Sequence, residues 1–340
     1  MNKLLSGICN CRKCPHCVQA TIGLKGKNPI YGDYRTGFAW FCDQCPTSNM
    51  AKTVDRGLLP FQEIDWAELT SDPMGLFIVK IPDWCPKVST TYGKVYNQVL
   101  NDPTYSKGME KIASEKPSSN KGHDYQHVLR VIKYGEDFIQ QHNKVYPDQA
   151  ADIKDIWLFR IATLLHDFGR VDGEKNHSKR SAEFAQQFLE ENTVINGDEL
   201  DRIVKAIEHH SDGKALDDIV AVALYLGDKL DMTNKRVVAD GSDELSDIVK
   251  EMKKIRMVNF YIMTDDEGTP TGVELRYETD IGFNEKRFSD YRKWIGVPLR
   301  VTQEYLYLDN FDLYINGKYY DYRQLMKKDE VVKDDHPVVV

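Results

Sequence analysis

The sequence predicts a mainly α-helical protein whose central helical bundle is flanked by a small cysteine-rich segment and a small region containing antiparallel β-strands. Between residues 121 and 245, apolar residues recur at the three- and four-residue spacing of amphipathic helices. Six of the seven cysteines lie within the first 45 residues. Beyond residue 245, runs typical of strands are separated by turn-forming residues.

These changes of pattern divide the chain into five expected segments. At 340 residues the chain is long enough for two or three domains, since one domain usually takes roughly 100–200 residues. We expect a cysteine-rich segment at 1–50, a linking and packing segment at 51–120, the helical bundle at 121–245, a small α+β region at 246–326 and a mobile tail at 327–340.

Composition and charge restrict the possible classes of protein. The chain is 41% hydrophobic and 29% charged, as in an ordinary globular protein. Residues 1–60 hold eight Lys and Arg against three Asp, or +5, so the rest carries −8 − 5 = −13. The acidic body argues against a protein that coats nucleic acid along its whole length, whereas the basic head is a candidate contact for nucleic acid.

No part of the sequence predicts a membrane segment. A membrane-spanning helix needs about 18 or more consecutive apolar residues, and the sequence has no such run. The opening residues also lack the apolar core of about 7–15 residues that a signal peptide requires. We therefore expect a cytoplasmic protein, in which clustered cysteines bind metal more often than they form disulfides.

The cysteines of the first segment have the spacing of a zinc site. Cys14-x-x-Cys17 and Cys42-x-x-Cys45 are two pairs separated by 24 residues, and four thiolates can enclose one Zn²⁺ tetrahedrally. The pattern resembles a zinc ribbon, which implies one structural zinc. Cys11-x-x-Cys14 is an equally good pair, His16 is another possible ligand, and an iron–sulfur cluster, disulfides or free thiols are alternatives. A ribbon of this kind either stabilises the fold and contacts protein or binds nucleic acid.

Seven of the nine histidines fall between positions 123 and 210, where helical periodicity is strongest. Several of them share a helix face with apolar residues, so their side chains are expected to be buried. Buried titratable groups are costly unless they meet a partner, and one metal centre would satisfy them all. Imidazole and carboxylate ligands together favour Mn, Fe, Zn or Mg. His142 follows two glutamines, and we expect it to be solvent exposed.

Three motifs give the bundle a specific resemblance. They are His127-Val-Leu-Arg-Val, then Leu-Leu-His166-Asp167-Phe-Gly-Arg170, then Gly227-Asp228-Lys-Leu-Asp. In this order they resemble the signature of the HD-domain superfamily, whose members are metal-dependent phosphohydrolases built on a helical bundle. The resemblance covers roughly residues 121–240 and does not extend to the C-terminal region.

The resemblance implies a set of metal ligands. The four core ligands of the family correspond to His127, His166, Asp167 and Asp228, with Asp231 one turn away as the alternative to Asp228. Two further histidines, His177 and His210, match positions that the dinuclear branch of the family uses. The site would then bind two divalent ions, such as Mn or Fe, bridged by Asp167. His123 is expected to support the ligands rather than bind metal.

The implied function is hydrolysis of a phosphate ester, with a nucleotide or related phosphorylated metabolite as substrate. A bound metal lowers the pKa of water from 15.7 to about 7, which supplies a hydroxide nucleophile. Asp167 and Arg170 are the expected catalytic residues, and Arg170, Lys179 and Lys229 the expected substrate-binding cations. Two alternatives remain: a diiron oxygenase of the inositol or phosphonate oxygenase type, which uses the same six ligands, and a module that binds nucleic acid or protein.

Beyond the bundle, the sequence predicts a small antiparallel sheet. Residues 256–264 and 272–279 are strand-like, and further strands are expected at 305–308 and 311–315. Asn316-Gly317 is a strong signal for a tight turn between strands.

The zinc prediction can be tested by elemental analysis. Purified, reduced protein should contain about one zinc ion that survives substitution of the bundle histidines. Replacing Cys42 and Cys45 with Ser should remove that zinc and lower the stability of the protein, while the bundle keeps its metals. A reduced, intact preparation without zinc would contradict the prediction.

Overall fold

A computed structural model describes residues 17–28, 32–42, 91–114, 122–238, 245–286 and 293–325, with the backbone alone for 17–28 and 32–42. The chain divides into two compact units, residues 1–100 and 101–340. Within the described residues, no helix has the length and apolar character needed to cross a membrane.

The first unit contains an antiparallel hairpin and a helix. Strand β1 (Cys17–Asn28) pairs with β2 (Gly32–Cys42), and Cys17 lies directly opposite Cys42 in the register. The other two predicted zinc ligands, Cys14 and Cys45, lie outside the described residues, so the zinc ribbon stays a prediction. Helix α1 (Thr91–Asn101) follows. This helix lies within the linking and packing segment expected at 51–120. Residues 51–90 of that segment are not among the described residues.

The described residues of the second unit begin with six α-helices: α2 (Pro103–Ser114), α3 (Tyr125–Val145), α4 (Ile153–Leu165), α5 (His177–Asn192), α6 (Gly197–Glu208) and α7 (Ile219–Leu230). The start of α3 is capped by Asp124, whose carboxylate accepts a hydrogen bond from the backbone N–H of His127 at 2.9 Å. Asp152 and Asp155 form a reciprocal capping box at the start of α4. These caps satisfy N–H groups that a helix cannot pair within itself.

Helices α3, α4 and α7 form the centre of the bundle, and two glycines allow them to approach closely. A Cβ atom on Gly135 of α3 would lie 2.2 Å from the Phe159 ring of α4. A Cβ atom on Gly227 of α7 would lie 2.7 Å from the carbonyl oxygen of Val131 on α3. Because Gly227 precedes Asp228, this contact brings the end of α7 against the start of α3. The sequence prediction of a buried α4 is confirmed, since eight of its residues are buried.

The C-terminal part combines a short helix α8 (Asp247–Met252), four strands, a helix α9 (Lys293–Arg300) and a last turn α10 (Tyr322–Leu325). The strands are β3 (Ile255–Thr264), β4 (Pro270–Thr279), β5 (Phe311–Ile315) and β6 (Lys318–Tyr320), in the order β3-β4-β5-β6. The neighbouring pairs β3–β4 and β5–β6 are antiparallel, but β4 and β5 are parallel. The expected antiparallel sheet is therefore mixed, because α9 carries the chain across between β4 and β5.

Two local predictions have opposite outcomes. Asn316 and Gly317 have φ of 50° and 77°, as the predicted tight turn between β5 and β6 requires. The strand expected at 305–308 is wrong, because Val301–Tyr305 continues α9 as a π-helical turn. The strand was predicted from the aromatic residues of this stretch, which did not indicate the helical turn or the full burial of Thr302 within it.

The sheet is attached to the bundle through α3. The side-chain amide of Gln141 donates to the carbonyl oxygen of Phe260 and accepts from the N–H of Ile262, both at 2.9 Å. Gln141 thus occupies hydrogen-bonding positions along the outer edge of β3.

The expectation of an exposed His142 is wrong, since this residue is 2% exposed and its ring packs between Tyr146 and Tyr305. Its place on the apolar face of α3 explains this burial.

Candidate metal centre

The six residues predicted to bind metal are all buried and converge on one point of the bundle. They are His127 on α3, His166 and Asp167 after α4, His177 at the start of α5, His210 after α6 and Asp228 in the last turn of α7. Asp167 lies at their centre. Gly169 allows this convergence, since a Cβ atom there would lie 2.4 Å from the carbonyl oxygen of His177.

The two oxygens of Asp167 face different histidines. Its Oδ2 lies 3.3 Å from Nε2 of His166 and 3.5 Å from Nε2 of His127. Its Oδ1 lies 3.4 Å from Nε2 of His177 and 3.8 Å from Nε2 of His210. One carboxylate thus stands between two pairs of imidazoles, which is the arrangement expected of a group shared by two ions.

Three of these imidazoles are held by the same kind of hydrogen bond to the backbone. The Nδ1 atoms of His166, His177 and His210 each contact the backbone carbonyl oxygen three residues earlier, at 2.7, 2.9 and 2.6 Å. A carbonyl can only accept, so Nδ1 carries the proton in each ring. Each Nε2 therefore presents a lone pair toward Asp167 whenever the ring is neutral. This is the tautomer that a metal ligand needs.

His127 is oriented by a carboxylate instead. Its Nδ1 lies 2.6 Å from Oδ2 of Asp231, and Asp231 is held bidentately by Arg130 at 2.7 and 3.1 Å. Asp231 is occupied by these contacts, whereas Oδ1 of Asp228 lies 3.3 Å from Nε2 of His127. The geometry therefore favours Asp228 as the ligand and gives Asp231 the task of orienting His127.

The residues present fit a metal ion. Among the described residues, Nε2 of His127, Nε2 of His166 and Oδ1 of Asp228 are buried without a hydrogen-bond partner. A buried polar atom without a partner costs about 1–3 kcal/mol, so three of them in one place are unfavourable unless a cation binds there. One ligand atom of each of these residues lies within 4.8 Å of the other two. A second such group contains His166, Asp167 and His210.

The protonation states of the cluster follow from burial and nearby charge. Burial opposes ionisation of Asp167, but Arg170 and His123 outweigh it and hold the pKa of this carboxyl well below its usual range. Burial also lowers the pKa of His177, to about 4, despite the opposing effect of Asp167. Burial and Arg236 likewise oppose a charge on His127, but the adjacent carboxylates of Asp167, Asp228 and Asp231 raise its pKa to about 9. A metal that binds His127 must displace that proton, so binding is favoured by higher pH.

The three predicted substrate-binding cations have different positions. Nε of Arg170 donates to Oδ1 of Asp167 at 2.7 Å, and its Nη2 donates to Nε2 of His177 at 3.2 Å. Lys229 forms an ion pair with Asp228. Lys179 is instead 69% exposed, with its ammonium group 3.9 Å from Glu183 on the same helix. The structure therefore does not bring Lys179 into the cluster, because it lies on the outer face of α5.

Three further buried residues surround the cluster, and of these His123 alone was assigned a supporting place from the sequence. Nδ1 of His123 lies 2.5 Å from Oδ2 of Asp167, and Arg130 orients Asp231 as described above. Arg236 lies 3.3 Å from Asp228. Spacing gave a signal for the first two, since His123 precedes His127 by four residues and Arg130 follows it by three. Arg236 lies beyond the end of α7, where helical periodicity gives no signal.

Comparison with protein families agrees with this geometry. Residues 124–233 match the model of the HD domain. This region is an HD domain with a His/Asp cluster, and HD domains belong to a superfamily of metal-dependent hydrolases. A search of curated proteins found no match to this chain.

The number of ions can be tested by metal analysis. His177→Ala and His210→Ala each remove an Nε2 lone pair that faces Oδ1 of Asp167, so each should reduce the metal content of the bundle from two ions toward one. His209→Ala is the matched control, because the His209 side chain is 26% exposed and pairs with Asp212. A wild-type bundle that saturates at a single ion under manganese and iron excess would contradict the two-ion site.

Proposed function

We propose that the chain is a metal-dependent phosphohydrolase that cleaves a phosphate ester, with a nucleotide or related phosphorylated metabolite as its substrate. The observation that carries this proposal is the position of Asp167. Its two oxygens face two different pairs of imidazoles. The cation Arg170 pairs with it, and the cation Lys229 pairs with the neighbouring Asp228. Hydrolysis of a phosphate ester uses both features, since it needs an activated water and positive charge beside the phosphoryl oxygens.

The ligand set proposed for two divalent ions is the set predicted from the sequence. His127, His166 and Asp228 would hold one ion, His177 and His210 the other, and Asp167 would contact both. When bound, the ions supply a water of lowered pKa and positive charge for an in-line displacement at phosphorus. Manganese and iron suit a site rich in imidazole.

The protein residues supply orientation and additional charge. Backbone carbonyls and Asp231 hold four imidazoles in fixed orientations before any substrate arrives, which reduces the reorganisation that the reaction requires. Arg170 is placed to contact the phosphate, because it lies beside both Asp167 and His177. Metal binding at Nε2 of His177 would release the Arg170 Nη2–H for a phosphoryl oxygen. Lys229 lies on the Asp228 side of the cluster and would contribute charge there.

The first test removes the central carboxylate. Asp167→Ala should abolish nearly all turnover of the metal-loaded enzyme, because both halves of the cluster lose a shared ligand. The fold should survive, since the bundle is held by its apolar faces. Circular dichroism checks folding, and a phosphatase screen across nucleotides measures turnover. Asp172→Ala is the control, because Asp172 lies in the same turn and is exposed.

Isotope labelling identifies the bond-forming step of this same reaction. Hydrolysis in ¹⁸O-labelled water without oxygen gas should place one labelled atom in the phosphate product. If the enzyme instead consumes oxygen with a non-phosphate substrate, and shows no phosphatase activity with any metal, the diiron oxygenase replaces the phosphohydrolase.

The second test concerns the proposed phosphate contact. Arg170→Ala should lower kcat/KM by roughly 10²–10³, the usual effect of removing one donor that stabilises transition-state charge. Metal content should stay near that of the wild type. Arg276→Ala, on the exposed face of β4, is the control and should leave kcat/KM unchanged. An Arg170→Ala enzyme with wild-type kcat/KM would exclude this contact.

A further inference from the structure

We propose that Arg236 is a positioning residue that fixes Asp228 for metal binding by tying the end of α7 to the segment that precedes His123. This inference rests on the proposed metal centre and adds a residue that lies outside the predicted ligand and substrate-binding sets. Arg236 belongs to a short 3₁₀ turn (Asn234–Arg236) after α7, and its side chain is 5% exposed.

One end of the guanidinium closes helix α7. Its Nη1 donates to the backbone carbonyl oxygens of Asp228 and Asp231 at 3.1 and 3.2 Å. The last carbonyls of a helix have no partner within the helix, so a buried helix end needs donors of this kind. The same last turn carries the side chains of Asp228 and Lys229. Arg236 therefore holds the backbone from which these two side chains project.

The other contacts of Arg236 reach the segment before α3. Its Nε donates to the carbonyl oxygen of Gly122 at 3.3 Å, and its own carbonyl oxygen accepts from the Gly122 N–H at 2.6 Å. Gly122 immediately precedes His123, which contacts Asp167. The backbone and the side chain of Arg236 thus fix the His123 segment relative to the end of α7.

The remaining nitrogen faces the cluster itself. Nη2 lies 3.3 Å from Oδ1 of Asp228 and 3.3 Å from Nδ1 of His123. The first contact is an ion pair without hydrogen-bond geometry, and it leaves the lone pairs of this buried oxygen free for a metal. Nδ1 of His123 must donate its proton to Asp167, so it cannot also accept from Arg236. The guanidinium therefore restrains the Asp228 carboxylate by charge without occupying it.

The planar fork of arginine is essential to this arrangement. Three N–H groups that donate to three carbonyls, with the charged Nη2 beside a carboxylate, need the fixed geometry of a guanidinium, which the single ammonium group of lysine lacks. Because most of its N–H groups are engaged by the protein, Arg236 is a poor candidate for direct contact with the substrate. Its role is to orient Asp228, as a residue that supports metal ligands does.

The test measures metal binding to Arg236→Lys in the full-length protein. We expect the affinity for manganese to fall about 10- to 100-fold at one of the two ions, the usual cost of losing a residue that supports a ligand. The affinity for the ion bound by His177 and His210 should not change, so Arg236→Lys combined with His210→Ala should weaken binding of both ions. Titration followed by electron paramagnetic resonance of free manganese measures each step, and no turnover is needed.

The matched control is Arg202→Lys. Arg202 also uses its fork, donating to Asp218 and Asp155 at 2.5 to 2.9 Å, but it lies on α6 and contacts no ligand of the cluster among the described residues. The control should lower thermal stability without changing the manganese affinity. Arg236→Met keeps the apolar stem and should also weaken one ion, which preserves the test if the buried ammonium group itself prevents folding.

The outcomes separate this inference from the proposed function. If the wild type binds two manganese ions and folded Arg236→Lys and Arg236→Met bind both with unchanged affinity, the positioning role is wrong and the phosphohydrolase stands. An equal loss of affinity in Arg202→Lys would also overturn it, because general destabilisation would then explain the effect. A wild-type bundle that binds no ion would overturn both proposals.

Discussion

The burial of one carboxylate, Asp167, is the constraint on which the rest of the bundle depends. A charged group in the interior is stable only with strong partners, and here these are Arg170, His123 and four imidazole rings. The four rings are brought to it by different helices, and a hydrogen bond at Nδ1 fixes the orientation of each. The helices must therefore pack at set distances, which the close contacts of Gly135, Gly169 and Gly227 allow.

The cluster is organised in two layers with different physical roles. The inner layer presents lone pairs that have no partner in the protein, and a cation is the group that would satisfy them. The outer layer consists of backbone carbonyls and Asp231, which orient the imidazoles, and of Arg130 and Arg236, which pair with Asp231 and Asp228. Because the ligands are already oriented, little reorganisation is needed when a metal binds, and removing an orienting residue lowers the metal affinity. This arrangement also explains why buried arginines lie so close to a site for cations.

Much of the candidate site was predictable, because its residues lie in short motifs that resemble the HD-domain signature. That resemblance implied His127, His166, Asp167, His177, His210 and Asp228 as ligands, and the structure places all six together. Asp228 was preferred to Asp231 from the sequence, but Asp231 remained an alternative because the two residues lie one turn apart at the end of α7. Only the packing of α7 on α3 shows that Asp228 faces the cluster and that Asp231 faces Nδ1 of His127. The outward direction of Lys179 was not predictable either, because it depends on which face of α5 packs against the bundle.

The sequence by itself determined the helical class of the bundle, the HD motifs and the tight turn at Asn316-Gly317, because each depends on residues close together in the chain. Tertiary structure alone decided the parallel pairing of β4 with β5, the burial of His142 and the place of Arg236 beside Asp228. These features depend on contacts between residues far apart in the chain. No local periodicity encodes such contacts, because they form only when separate elements pack against one another.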